Sequence, residues 1–320
     1  MSSPKVAIII LNWNGKYYTI ECIESLKKII YLNYEIILVD NGSKDDSVKC
    51  LKDRYPDIKI IINKKNLGFA EGNNIAIKAI LKNKYVRYIA LLNNDTKVEP
   101  YWLEELISVA ESDKKIGACQ SKILSMSDPS ILDAVGISIS KNGEAIQEGY
   151  KTRDVGQYEQ VREIFGPCAG AVLYRREMLS KIGLFDEDFF AYYEDVDIAF
   201  RARFAKWKCA YVPKSIVYHA HSGTLGKKSS LKFYFLTRNE YYYKIKNLPT
   251  DILIRFFIKR PIVLIFIILK FIKKKEFKLI HLYLKGNFDA VKNIFKMLKK
   301  RKIIQTTKLI QDKELKRWFV

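Results

Sequence analysis

VAIIILNWNG (residues 6–15) and EIILVDNGSKDDS (residues 35–47) decide the fold. Each holds a short apolar, largely β-branched run (residues 6–11 and 36–39) that stops abruptly at amide or carboxylate side chains, Asn12 and Asn14 in the first, Asp40 and Asn41 in the second. A run that is apolar throughout implies a strand covered on both faces, as in a parallel sheet flanked by helices. Two further runs, Ile58 to Ile62 and Tyr88 to Leu92, follow with helix-length amphipathic stretches between them, which is βαβ spacing. Ligands of open α/β sheets sit outside the carboxyl ends of the strands, so Asn12, Asp40, Asn63 and Asn93 are expected to gather where a ligand binds.

Working outward, residues 128–160 lose the pattern and read as short strands with a mobile loop. From Phe165, GPCAGAVLYRREML predicts a glycine turn, a strand over Ala171 to Tyr174 and a helix; apolar spacing predicts another helix over Glu194 to Lys206. Within the strand-end loops, Ser43 and Asp46 read as a capping box. Asp40 is a carboxylate able to accept from a base N–H or a ribose hydroxyl, or an Asx-turn residue bonded to its own backbone. In NLGFAEGNN (residues 66–74), Gly68 and Gly72 permit close backbone approach to a ligand, or simply a turn.

LLNNDT (residues 91–96) sets Asn93 and Asp95 two positions apart, hence on one side of an extended segment, where they can address one hard divalent cation. FFAYYEDVDIAFR (residues 189–201) brings Glu194 and Asp195 beside an aromatic cluster, the setting that raises a carboxyl pKa for general-base work; Asp197 reads as a structural partner of Arg201. His219 and His221 follow an apolar run, and strand alternation puts both on one face, as metal ligands or as surface histidines.

Taken in order, VAIIILNWNG, VDNGSKDDS, NLGFAEGNN, LLNNDT, GPCAGAVLYRREML, IGLFDEDFFAYYEDVDIAFR and VYHAHSG resemble the family-two inverting glycosyltransferases, in their rhamnosyltransferase-like branch, over about residues 5–240. The resemblance implies a GT-A fold, an α/β Rossmann-like nucleotide-diphospho-sugar transferase, followed by a basic helical segment. It implies that Asp40 holds the nucleoside base, Asp95 and His219 or His221 bind Mg²⁺ or Mn²⁺, Asp195 is the catalytic base supported by Glu194, and Arg238 contacts the diphosphate. Asn12, Asn14, Asn41, Gly68, Asn73, Asn93 and Asn94 complete the expected nucleotide-sugar pocket. Asn93 stands where many relatives carry the first aspartate of a DxD motif.

The formal charge is +21, and about +14 of it falls in residues 251–320. After Pro249, ILIRFFIKRPIVLIFIILKFIKKK is very apolar yet broken by Arg255, Lys259, Arg260 and Lys270, too short a clear run to span a bilayer. A catalytic domain over 1–248 and an amphipathic segment over 249–320 lying on an anionic membrane surface are expected. The alternative is a helix packed on the catalytic domain. Five scattered cysteines and the lack of a signal-peptide core fit a cytoplasmic protein, peripheral on the cytoplasmic membrane face. Expected partners are a nucleoside-diphosphate sugar and a glycan or lipid-linked acceptor; no nucleic acid is expected. Competing readings are a nucleic-acid-binding protein using the basic tail, or a non-catalytic relative that only binds nucleotide-sugars.

Overall fold

The four apolar runs become the parallel half of one sheet. The computed structural model describes residues 3–220 and 230–320. In it β1 (Lys5–Asn12), α1 (Lys16–Leu26), β2 (Tyr34–Asp40), α2 (Ser47–Arg54), β3 (Lys59–Ile62), α3 (Gly68–Leu81) and β4 (Val86–Asn93) alternate as the pattern requires. There follow β5 (Thr96–Val98), α4 (Trp102–Ser112), β6 (Ile116–Ser125), β7 (Leu132–Ala134), β8 (Gly136–Ile139), β9 (Ala145–Glu148), β10 (Arg162–Ile164) and β11 (Ala171–Arg175). The rest is α5 (Arg176–Ile182), α6 (Glu194–Phe204), β12 (Lys208–His219), α7 (Ser230–Asn247), α8 (Thr250–Lys273), α9 (Phe277–Lys292), α10 (Ile294–Thr306) and α11 (Asp312–Lys316).

Among the described residues the main sheet runs β10-β12-β6-β11-β4-β1-β2-β3. β1 to β4 are parallel, β11 enters antiparallel between β4 and β6, and β12 returns parallel to β6. The polar ends therefore share one edge: Asn12 lies opposite Asp40, Leu11 opposite Asn93, and β12 brings His219 opposite Thr96 and Ser125. Alternation explains why the strands are apolar on both sides. Val6, Ile8 and Ile10 pack with Cys22, Leu26, Trp102 and Leu106, while Ala7 and Ile9 pack with Ala76, Ile77, Ile80 and Met178.

Of the short strands expected after residue 128, β8 and β9 form a hairpin, tied to the chain end by Val320 N–H donating to the Ile139 carbonyl (2.8 Å). A third core joins Phe165, Phe189, Val196 and Phe200 to Tyr243, Ile245, Leu248, Ile252, Ala290, Met297 and Phe319. The boundary expected at 248/249 thus falls inside a shared core. Each large apolar side chain buried there stabilises by about 1.5–3 kcal/mol, against roughly 0–1 kcal/mol for an exposed ion pair, so packing rather than surface charge fastens the tail.

Helix α8 leaves Ile254, Ile258, Ile262, Ile265, Phe266 and Leu269 exposed. A second exposed apolar row, Phe277, Leu284, Phe288, Val291, Phe295 and Leu298, runs along α9 and α10. No helix among the described residues is long and apolar enough to cross a membrane.

Candidate active site

At the edge formed by β1 and β2, the strand-end polar groups bind one another. Asn12, fully buried, donates through Nδ2 to Asp40 Oδ1 (2.9 Å) and accepts at Oδ1 from Gly15 N–H (3.1 Å) and Thr19 Oγ1 (2.9 Å). Asn94 Nδ2 reaches the same Thr19 and Asn12 atoms at 3.1 and 3.3 Å. Asp40 also takes Ser43 N–H (3.0 Å) and Ser43 Oγ (2.5 Å), so Asp40 orders its own loop. Asn14 sits above it, at a positive φ, and accepts from Lys44 N–H (2.8 Å). The capping box does not form. Helix α2 starts at Ser47 with no side-chain cap bond, because Ser43 is engaged by Asp40 and Asp46 by Lys16 Nζ (2.7 Å).

Asn41 fixes the next loop, donating to Asn66 Oδ1 and the Gly68 carbonyl (3.0 Å each) and accepting from Asn63 and Leu67 N–H (3.1 Å each). Asn73 is buried and bonds back to the Phe69 carbonyl (2.8 Å). The two glycines make room for protein atoms. A Cβ on Gly68, whose φ is +78°, would fall 2.4 Å from the Phe190 carbonyl, and one on Gly72 would fall 2.8 Å from Leu11. The Phe190 carbonyl in turn accepts from Phe69 and Ala70 N–H (2.6 and 3.1 Å), satisfying the donors that begin α3.

Across the sheet, Asn93 and Asp95 do turn to one side, and both meet His219. Its Nε2 lies 3.1 Å from Asp95 Oδ1 and 3.4 Å from Asn93 Nδ2. Its Nδ1 is 2.7 Å from Asp133 Oδ2 on β7. Burial opposes the imidazolium, but the hydrogen bonds to Asp133 and Asp95 outweigh it and lift the histidine to about 10. Asp133 went unread in the sequence, although a lone carboxylate in the apolar stretch ILDAV was its signal. His221 lies outside the described residues. The donor set suits a hard divalent ion that displaces the Nε2 proton: one carboxylate and one imidazole nitrogen then face each other, leaving the remaining positions to oxygens from outside the chain. Among the described residues no group of three or more His, Cys, Asp or Glu side chains forms a closed protein cage.

The glycine turn before β11 joins this region to the carboxyl pair. Gly170 accepts from Asn93 N–H (2.9 Å), and Ala169 N–H, one residue earlier, donates to Asp195 Oδ2 (3.3 Å). Val196 N–H donates to Asp195 Oδ1 (2.8 Å), and the Cys168 side chain also hydrogen-bonds to Asp195. Gln120, fully buried in β6, accepts from Cys168 N–H (2.6 Å) and fixes the turn. Burial raises Asp195 above the ordinary carboxylate value, with those bonds pulling the other way. Glu194 is raised well above its ordinary value, through burial and then the Asp195 charge, and among the described residues its buried Oε2 has no hydrogen-bond partner. A pair with pKa values pushed apart gives one protonated and one ionisable carboxyl side by side.

Asp197, as expected, is structural: it pairs with Arg201 Nε (3.0 Å) and with buried Lys246 (2.6 Å). Arg238, expected at the diphosphate, is engaged by the chain through part of its guanidinium. Its Nη2 donates to the carbonyls of Asp188 (2.8 Å) and Phe189 (3.0 Å), because the loop before Glu194 presents carbonyls to α7.

The model of glycosyl transferase family 2 matches residues 7–183, which include the strand-end loops, Asp95 and the glycine turn. The chain belongs to this family. A low-salt glycan biosynthesis hexosyltransferase of Haloferax volcanii is 27% identical over 62% of the chain and 61% of its own length. An N-acetylglucosaminyl-diphospho-decaprenol L-rhamnosyltransferase of Mycobacterium tuberculosis is 26% identical over 60% of the chain and 68% of its own. An uncharacterized glycosyltransferase of Haemophilus influenzae, at 30%, is matched over only 43% of its length. Among solved structures, GalNAc-T7 with UDP, GalNAc and Mn²⁺ has a TM-score of 0.60 at 16% identity, covering 77% of this chain and 50% of that one. TarS 1-349 of S. aureus with UDP-GlcNAc has 0.54 at 15%, covering 76% and 67%. These share the fold, which is the GT-A arrangement the sequence led us to expect.

Proposed function

We propose that this chain transfers a sugar, with inversion, from a nucleoside-diphosphate sugar to a hydroxyl of a glycan or lipid-linked acceptor in cell-surface polysaccharide assembly. The observation that carries the reading is the glycine turn, whose adjacent residues Ala169 and Gly170 hold Asp195 on one side and Asn93 on the other. In this reading the base and the leaving-group side of the site are anchored by adjacent residues of one turn. Asp195, ionised, removes the acceptor hydroxyl proton as that oxygen bonds the anomeric carbon and the bond to the diphosphate oxygen breaks; the nucleoside diphosphate leaves with the electron pair. One displacement inverts the centre and needs no covalent sugar-enzyme species. Asp95 and His219 would hold a Mg²⁺ or Mn²⁺ ion, which supplies charge neutralisation for the departing diphosphate. The ordered strand-end loops bind the nucleoside.

The same reading places the enzyme on the cytoplasmic face of an anionic membrane. The two exposed apolar rows of α8 and of α9 with α10 are flanked by Lys270, Lys273, Lys274, Lys278, Lys285 and Lys292, which match a negative lipid surface. This arrangement also accounts for the basic tail without nucleic acid.

The test is transfer from UDP-, dTDP- and GDP-sugars to a lipid-diphosphate sugar, with Mg²⁺ or Mn²⁺ and with EDTA. Metal-dependent transfer from one donor series is expected; full activity in EDTA removes the ion, and no turnover of any donor by folded protein removes the reading. Co-sedimentation with anionic but not neutral vesicles at low salt is the matching expectation for the surface.

A further inference from the structure

The segment that carries Glu194 and Asp195 into place is unusual in its backbone. Phe190, Tyr192 and Tyr193 all have positive φ, at 64°, 72° and 70°, a region costly for aromatic L-residues. Strain of this kind persists only where the surroundings over-determine it. Here one buried side chain makes most of the contacts to the segment's carbonyls. Asn239 on α7, fully buried, points its Nδ2 at three carbonyls of the segment, those of Phe189 (2.8 Å), Ala191 (2.8 Å) and Tyr192 (2.9 Å). Its Oδ1 accepts from Arg238 Nε (2.9 Å), which orients the amide so that the nitrogen faces the segment. The remaining carbonyl, Phe190, points the opposite way to the start of α3, and the Phe190 ring stacks on Phe235 of α7 at 4.9 Å. Upstream, Lys246 and Lys300 grip Asp186 (2.6 and 2.5 Å).

We propose that Asn239, oriented by Arg238, is a positioning residue for the transfer reaction: it holds residues 189–193 in their left-handed path and so sets where the Asp195 carboxylate stands at the start of α6. The inference rests on the proposed transferase reading but concerns a residue that touches neither sugar nor nucleotide. Removing the amide takes the side-chain donor from the Ala191 and Tyr192 carbonyls, while the Phe189 carbonyl keeps Arg238 Nη2 and Phe190 stays held by its own carbonyl on α3; Tyr192 and Tyr193 then relax toward ordinary φ, rotating the first turn of α6. The donor pocket is built on β1, β2 and α3 and keeps its own bonds, including the Phe190 carbonyl on α3. Turnover should therefore suffer and donor affinity should not.

The test compares Asn239→Ala, Asn239→Asp and the milder Arg238→Lys with wild type, each measured as folded full-length protein. For Asn239→Ala and Asn239→Asp we expect kcat to fall at least about tenfold, as displaced catalytic groups do, with donor KM within about threefold. Arg238→Lys should move kcat in the same direction by less. Amide hydrogen exchange at residues 189–193 should quicken by at least about tenfold in Asn239→Ala. A folded Asn239→Ala with wild-type kcat, or with kcat and KM changed in parallel, overturns the proposal. If wild type transfers no sugar, the functional reading fails by itself; unchanged exchange in Asn239→Ala then still decides against the clamp.

Discussion

Asp186 and Asp195 belong to one stretch of chain, and their surroundings are opposite. Asp186, with Asp188 and Asp197 near it, is surrounded by cations: Lys246 lies 2.6 Å from both Asp186 and Asp197, Lys300 reaches Asp186 and Asp188, and Lys296 reaches Asp188. Burial alone would raise these carboxyls; the lysines overcome it and hold all three below the ordinary value. Among the described residues Asp195 and Glu194 have no cation beside them, only backbone N–H groups and the Cys168 thiol, and burial raises both. The same residue type is a strut in one region and the proposed base in the other. Cation supply decides which.

The comparison breaks first at Lys246. This ammonium is 2% exposed and neutralises the buried Asp197 of α6 and the half-buried Asp186 ahead of it. Lys246→Ala should lower unfolding free energy by about 3–5 kcal/mol, the cost of leaving buried charge uncompensated. Urea unfolding at pH 7 measures it. A variant as stable as wild type would mean that Arg201 and Lys300 suffice, and the acidic strut would lose its central member.

On the other side, Asp195→Asn should leave donor binding intact and lower transfer by at least about a hundredfold. Because Asp195 must be ionised and its value is raised, activity should fall on the acid side at a pH above the ordinary carboxylate range. Turnover like wild type, or an acid limb at an unshifted carboxylate value, would leave Asp195 without its catalytic part.

How far the sequence revealed this difference depends on the region. The parallel strands were legible because each run is apolar on both faces and ends in Asn or Asp. The strand ends observed, Asn12, Asp40 and Asn93, are the residues that close those runs. The pairing of Asp197 with Arg201 was legible because both lie on one helix face. Lys244, Lys246 and Asn247 were not: a lysine-rich stretch reads as solvated surface, yet all three are buried, since their partners Glu144, Asp186 and Asp197 lie 50 or more positions away in the chain. At Arg238 and the glycines of the third-strand loop, neighbours from the chain itself went unread for a related reason. Their residue types announce an anion contact or a close approach, and the structure supplies the neighbour from the chain itself, the carbonyls of Asp188 and Phe189 for one and Phe190 for Gly68.

Glu194 gives the smallest effect and the sharpest reading of the contrast. Its value in the folded chain is raised far above the ordinary 4.5, by burial first and by the Asp195 charge second. A group raised on folding contributes stability that is fully present below its unfolded value and is lost as pH rises toward the folded one. Glutamine occupies the same space and does not titrate. Glu194→Gln should accordingly match wild type in melting temperature near pH 4 and exceed it by about 2 °C near pH 8, a difference on the order of 1 kcal/mol for a chain of this size. Transfer should fall less than in Asp195→Asn, because Glu194 acts on the reaction only through the charge of its neighbour. Scanning calorimetry across that pH range reads the sign directly. A difference that stays flat with pH would place Glu194 in ordinary solvent-like surroundings, and the two acidic regions would then no longer be opposites; a variant destabilised at high pH would mean that a cation outside the described residues partners this carboxylate as lysines partner Asp186.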